Sequence, residues 1–109
     1  VTMIYGEKKE TVTGLIDTGN RLREPVSSQP VHVAAAGLMK QLCPTVKGVV
    51  YVPYQSVGTT SGILPAVFID RMEIEQEGGR YSLEKPLIAI TKQELSPSGE
   101  YQILIQKSD

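Results

Sequence analysis

Leu15-Ile16-Asp17-Thr18-Gly19-Asn20 places one carboxylate at the end of an apolar run, with a hydroxyl residue and a glycine directly behind it. A carboxylate beside buried apolar residues is costly to keep ionised unless it is paired or hydrogen-bonded. Asp-Thr-Gly is also ordinary turn chemistry, so the short stretch alone leaves both readings open. The rest of the chain decides whether it is a scaffold for this turn.

Working outward, Val1–Tyr5 is β-branched and aromatic, and reads as a strand that turns at Gly6–Glu10 and returns over Thr11–Ile16. Asp17–Asn20 ends that return strand. Arg21–Ser28, polar and interrupted by Pro25, reads as a loop. Pro30–Ala35 is a short strand with Val31, Val33 and Ala35 on one face and His32 pointing outward from the other. Gly37–Leu42 is the one helix expected, stopped by Pro44. Val49–Val52 and Tyr54–Val57 are extended, Gly58–Gly62 breaks them, and Ile63–Ile69 resumes with Pro65 marking an edge or a bulge. Met72–Glu75 follows, then a hairpin turn in which Gly78-Gly79 permits positive φ. Leu87–Ile90 reads as a strand buried on both faces. In the closing strand Tyr101, Ile103 and Ile105 alternate with the polar Gln102 and Gln106. Short strands with turns every few residues and a single short helix predict an all-β domain, a small closed or folded-over sheet.

A chain of 109 residues is one domain by length, and can bury about 60–70% of its unfolded surface. Its 11 basic and 12 acidic residues give a net charge of −1, with no basic run, which argues against a nucleic-acid partner. No apolar stretch reaches the roughly 18–20 residues of a membrane span. The chain starts at Val1 inside a strand, which predicts a fragment of a longer protein.

The residue inventory narrows the chemistry. One cysteine, Cys43, excludes an internal disulfide, and with one histidine, His32, it cannot supply the usual zinc ligand set. No metal or cofactor is expected. A Ser-His-Asp triad would need Ser27, His32 and Asp17, but no G-x-S-x-G elbow occurs. Cys43 has only His32 to activate it, and reads as an inert thiol. Gly58–Gly62 lacks the lysine of a phosphate loop and reads as a hairpin tip suited to a lid. Asp17 remains. Two carboxylates sharing one proton can hydrolyse an amide without metal, Cys or Ser. Phe68-Ile69-Asp70 is the nearest second copy, but Arg71 follows it in place of Thr-Gly. One copy in a chain of this length implies a second Asp17 from an identical chain across a two-fold axis.

Leu15-Ile16-Asp17-Thr18-Gly19 resembles the hydrophobic-hydrophobic-Asp-Thr/Ser-Gly signature of retropepsin-like aspartic proteases. A longer pattern comprises Gly14–Pro25, Gln29-Pro30-Val31, Val52–Gly58 and Gly62–Pro65. It is similar to the protease domains of sporulation sigma-E factor processing peptidases, a family of membrane-anchored aspartic proteases. The resemblance spans roughly Thr11 to Ile74. It implies a small retropepsin-like β-barrel with one short helix, acting as a homodimer. It implies Asp17 as the catalytic aspartate, Thr18 as the hydroxyl bracing the two active-site loops, and Gly19 as the residue that lets the loop approach substrate. Val57, Gly58, Thr59, Thr60, Ser61 and Gly62 correspond to the substrate-covering flap. The implied substrate is a sigma factor precursor that loses an N-terminal pro-segment. The implied setting is the cytoplasmic side of the sporulation septum, with a multi-span membrane region before Val1. Two departures stand out: Asn20 follows the motif where Ala or Ser is usual, and Leu87–Ile90 contains no glycine where a hydrophobic-hydrophobic-Gly element normally packs behind the loop. The competing class is a non-catalytic protein-interaction domain of the same fold, which would have no need of a carboxylate at position 17.

Overall fold

The computed structural model describes residues 1–46, 48–55 and 61–107. Ten strands and one helix follow in the order β1 (Thr2–Tyr5), β2 (Lys8–Thr11), β3 (Gly14–Asp17), β4 (Val31–Ala35), α1 (Ala36–Leu42), β5 (Val50–Gln55), β6 (Ser61–Phe68), β7 (Arg71–Gln76), β8 (Gly79–Glu84), β9 (Leu87–Thr91) and β10 (Ile103–Gln106). The all-β expectation with one short helix holds. The barrel does not close. The strands form two open sheets, β2-β1-β7-β8 and β3-β10-β4-β9-β6-β5, and β3 and β5 remain edges of the larger one.

The expected return strand splits for a related reason. Lys8–Thr11 pairs with β1, but the chain then leaves that sheet, and Gly14–Asp17 pairs in parallel with β10 instead. One short stretch of chain therefore serves two sheets, a switch that local propensity does not encode.

Two cores lie on the two faces of the larger sheet. Between the sheets, Met3, Met72 and Ile74 from the smaller sheet meet Ala34, Val67, Ile88, Ile103 and Ile105 from the larger, with Leu38, Met39 and Leu42 of α1. The burial of β7 follows its pattern: Met72 and Ile74 point in while Glu73 and Glu75 point out. On the far face Val31, Val33, Val52, Ala66, Leu87 and Ala89 form a second cluster, joined by Leu22 and Leu95 from loops. β9 is thus covered on both sides, as its apolar run predicts. Each fully buried aliphatic side chain contributes about 1.5–3 kcal/mol.

Two local devices fix the arms of the structure. Gly78 (φ 93°) and Gly79 (φ 150°) close the β7–β8 hairpin in conformations that side chains resist. Pro65 lies in β6, but β6 pairs with β9 only over Ala66–Phe68, so the missing proline donor costs no bond to β9. Residues 61–65 therefore run beside β5 alone as a two-stranded arm.

Gly14 is where the sheets are pinned. A Cβ there would stand 2.8 Å from Val1 Cγ2 and 3.0 Å from both Ile103 Cγ2 and Ile105 Cδ1. Overpacking of this kind costs about 1–3 kcal/mol. Gly14→Ala is predicted to lower the unfolding free energy from denaturant titration by that amount; an unchanged value would show that the β3–β10 contact is looser than described.

Candidate active site

β3 delivers Asp17 to the end of the larger sheet, opposite Gln106 of β10 in the parallel register. Beyond it the chain folds over itself. Asp17 Oδ1 accepts the Gly19 N–H at 3.0 Å, and the Asp17 carbonyl accepts the Asn20 N–H at 3.3 Å. This is the local bonding that lets Asp open a turn. Asp17 is half-buried, whereas Thr18 and Gly19 are exposed. A Cβ on Gly19 would lie 3.4 Å from Asp17 Oδ1, so the glycine keeps the carboxylate uncrowded.

Beneath the turn sits a polar cluster that residue types alone did not signal. Asn20 Nδ2 donates to the Val31 carbonyl at 2.9 Å, and Asn20 Oδ1 accepts the Leu22 N–H at 3.0 Å. Gln106 Nε2 donates to the Leu22 carbonyl at 2.9 Å, with Asn20 Oδ1 at 3.2 Å and the Val31 carbonyl at 3.3 Å also in reach. The Gln106 N–H donates to His32 Nδ1 at 3.0 Å.

One expectation is corrected here. His32 does not face outward. It is 3% exposed, because the sheet that carries β4 is covered on both faces. Gln106, read from the sequence only as a polar residue of an alternating strand, is 4% exposed, and its backbone N–H and side-chain Nε2 both donate. The one available signal was Asn20, a residue with both a donor and an acceptor where the motif usually ends in a small side chain. Burial pushes the His32 imidazole down to about 4, and accepting from Gln106 requires its neutral form with the proton on Nε2.

The other candidates separate. With Nδ1 of His32 committed to Gln106, Ser27 lies in the exposed loop beside Glu24, 3.5 Å from its Oε2, and no triad forms. Cys43 is buried, and burial followed by the charge of Asp70 pushes its thiol up to about 11. It is a packed, protonated side chain, as the sequence suggests. Asp70 is occupied elsewhere, its Oδ2 accepting the Gly6 N–H at 2.6 Å to hold the β1–β2 turn.

Asp17 opens onto a cleft of about 1040 Å³. The Gly19–Arg23 loop forms one wall, Val33, Met39 and Cys43 are at its apolar lining, and Tyr54, Ile63, Leu64 and Pro65 of the β5–β6 arm form another wall. Among the described residues Asp17 is the one carboxylate that lines it, while Arg21, Arg23, Lys40 and Lys92 also line it. That charge balance attracts anionic segments. The expected flap, Val57 to Gly62, falls only partly within the described residues. Val57, Gly58, Thr59 and Thr60 lie outside the described residues, and Ser61 and Gly62 open β6. Gly62 pairs with Tyr54, whose ring would stand 2.7 Å from a Cβ at that position.

Comparison with known proteins matches residues 1–108 to a family model named Peptidase_U4. The chain belongs to this peptidase family, which is described as sporulation factor SpoIIGA. A putative sporulation sigma factor-processing peptidase of Bacillus thuringiensis subsp. kurstaki is 26% identical, covering 96% of this chain and 79% of its own length. The sporulation sigma-E factor-processing peptidase of Priestia megaterium is 25% identical over 96% of this chain and 41% of its own. A probable enzyme of the same name from Clostridium acetobutylicum is 25% identical over 98% and 40%. This chain thus spans about two-fifths of the length of the latter two. No solved structure matches it significantly.

The buried imidazole makes stability depend on pH with a definite sign. Below 6.5 the unfolded chain takes up a proton that the folded His32 refuses until about 4. The unfolding free energy should therefore be full above pH 6.5 and fall on acidification towards pH 4, by on the order of 3 kcal/mol. His32→Gln should flatten this slope in denaturant titrations across the window; an equal slope in both proteins would contradict the assignment.

Proposed function

We propose that this chain is the catalytic domain of an aspartic endopeptidase whose active site is completed by a second copy of itself. One observation carries the reading: among the described residues Asp17 is the one carboxylate lining the cleft, presented on an Asp-Thr-Gly turn at a strand end. A single carboxylate can act as base or as acid, but not as both in one step. Two of them about 3 Å apart cannot both ionise, so they hold one proton between them. The ionised partner then takes a proton from water, the protonated partner polarises the scissile carbonyl, and the water oxygen bonds to the carbonyl carbon. Collapse of the tetrahedral species breaks the C–N bond as a carboxyl proton passes to the leaving amine.

The exposed Thr18 and Gly19 suit this reading, since they are the parts of the turn available to a second subunit and to substrate. The apolar cleft bounded by the β5–β6 arm suits an extended peptide. By likeness to its curated relatives, named for the processing of a sigma factor, the substrate is a sigma factor precursor. The parent protein would hold this single domain on the cytoplasmic face of the septal membrane through a region before Val1. Tethering in a membrane raises the effective concentration of two copies, which favours pairing that a free domain achieves weakly.

Asp17→Asn, introduced into the longer parent protein and co-expressed with the precursor, is predicted to abolish processing while leaving the thermal midpoint near that of the wild type. Continued processing by the folded variant would refute the mechanism.

A further inference from the structure

The carboxylate of Asp17 has one hydrogen-bond donor among the described residues, the Gly19 N–H of its own turn. Its orientation is therefore inherited from the backbone of residues 17–20, and the question becomes what holds that backbone. A surface turn needs no more than water for its remaining groups. This one is instead bolted to two distant strands. Asn20 spends its donor on the Val31 carbonyl of β4 and its acceptor on Leu22 and on Gln106, a residue 86 positions away. Gln106 is also the register partner of Asp17, so the same residue fixes the strand from the side and the turn from below.

His32 anchors Gln106 in turn. β10 pairs with β4 only through Ile103 and Leu104, which leaves the Gln106 N–H beyond the ladder. His32 Nδ1 accepts that N–H where a strand carbonyl would otherwise do so. The connection then runs His32, Gln106, Asn20, Asp17, each link a hydrogen bond or a direct peptide turn, with His32 3% and Gln106 4% exposed. Buried side-chain networks of this kind rigidify what they hold, and a displacement of about 1 Å at a reacting group can cost 100-fold in rate.

We propose that Asn20, Gln106 and His32 are positioning residues that aim Asp17 for catalysis. This rests on the reading of Asp17 as the catalytic carboxylate. None of the three touches the reacting atoms in this scheme; they act through the turn. Gln106 is the pivotal member because its side-chain amide donors are shared by three acceptors, which only an amide of that length supplies at one buried point.

The test is steady-state processing of the precursor by the purified parent protein carrying Asn20→Ala, Asn20→Asp or Gln106→Met, beside Ile74→Val as a core control remote from the turn. Asn20→Ala and Gln106→Met should lower kcat about 10- to 100-fold with KM within about twofold. Asn20→Asp keeps the acceptor for both N–H groups but sets a carboxylate oxygen against the Val31 carbonyl, so it should recover only part of the loss, and Gln106→Met carries the test where Asn20→Ala fails to fold. Ile74→Val should lose stability without losing kcat. Unchanged kcat in the folded variants, or a loss matched by the Ile74 control at equal stability, would overturn the proposal. Full activity of Asp17→Asn would instead overturn the underlying reading, so the two failures are distinguishable.

Discussion

The parallel pairing of Gly14–Asp17 with Ile103–Gln106 is the contact on which the rest of this structure depends. It joins the start of the chain to its end and inserts β10 between β3 and β4. Long-range parallel pairs carry the full loop-closure entropy before any bond rewards them. Here the reward comes from Ile103 and Ile105, buried in the core between the sheets, and from the absent side chain at Gly14, which lets β3 approach them. Once that pair is made, Asp17 is carried to a strand end facing an apolar cleft, and its turn meets Gln106.

That placement reconciles two opposing demands. The turn must be exposed enough for substrate and for a second subunit, and Thr18 and Gly19 are exposed. It must also be rigid, and an exposed turn of four residues has few contacts of its own. The polar cluster of Asn20, Gln106 and His32 supplies the rigidity from the buried side, and its geometry requires a neutral imidazole. The apolar surroundings that keep His32 uncharged are those that hold the large sheet together, so packing and site geometry are one construction.

The Asp17 motif was legible in the sequence because its chemistry is local: an apolar run, a carboxylate, a hydroxyl and a glycine in order. Strands such as β7 and β9 were legible for the same reason, their alternation or continuous apolarity reporting directly on which faces are covered. The sheet assignment of β3 was not, since Thr11–Ile16 reads as one strand and nothing local marks the change of partner after Thr11. Nor did the sequence reveal the open sheets in place of a closed barrel, which depend on which edges find partners. His32 read as outward-facing because alternation assumes one polar face, and nothing local marked Gln106 as buried. β4 and β10 are instead interior strands of a sheet covered on both sides, where a polar residue must bond to another strand. Membership of a peptidase family agrees with what the motif suggests, while the carboxylate mechanism rests on the geometry around Asp17.

The central claim is that two chains share one active site, and mixing tests it most directly. Wild-type parent protein and its Asp17→Asn variant would be co-expressed in varied ratios and assayed for precursor cleavage per total chain. A shared dyad predicts activity proportional to the square of the wild-type fraction, so that an equal mixture retains about a quarter of full activity. A linear dependence, with about half retained at the same ratio, would mean that each chain carries a complete site and would contradict the account.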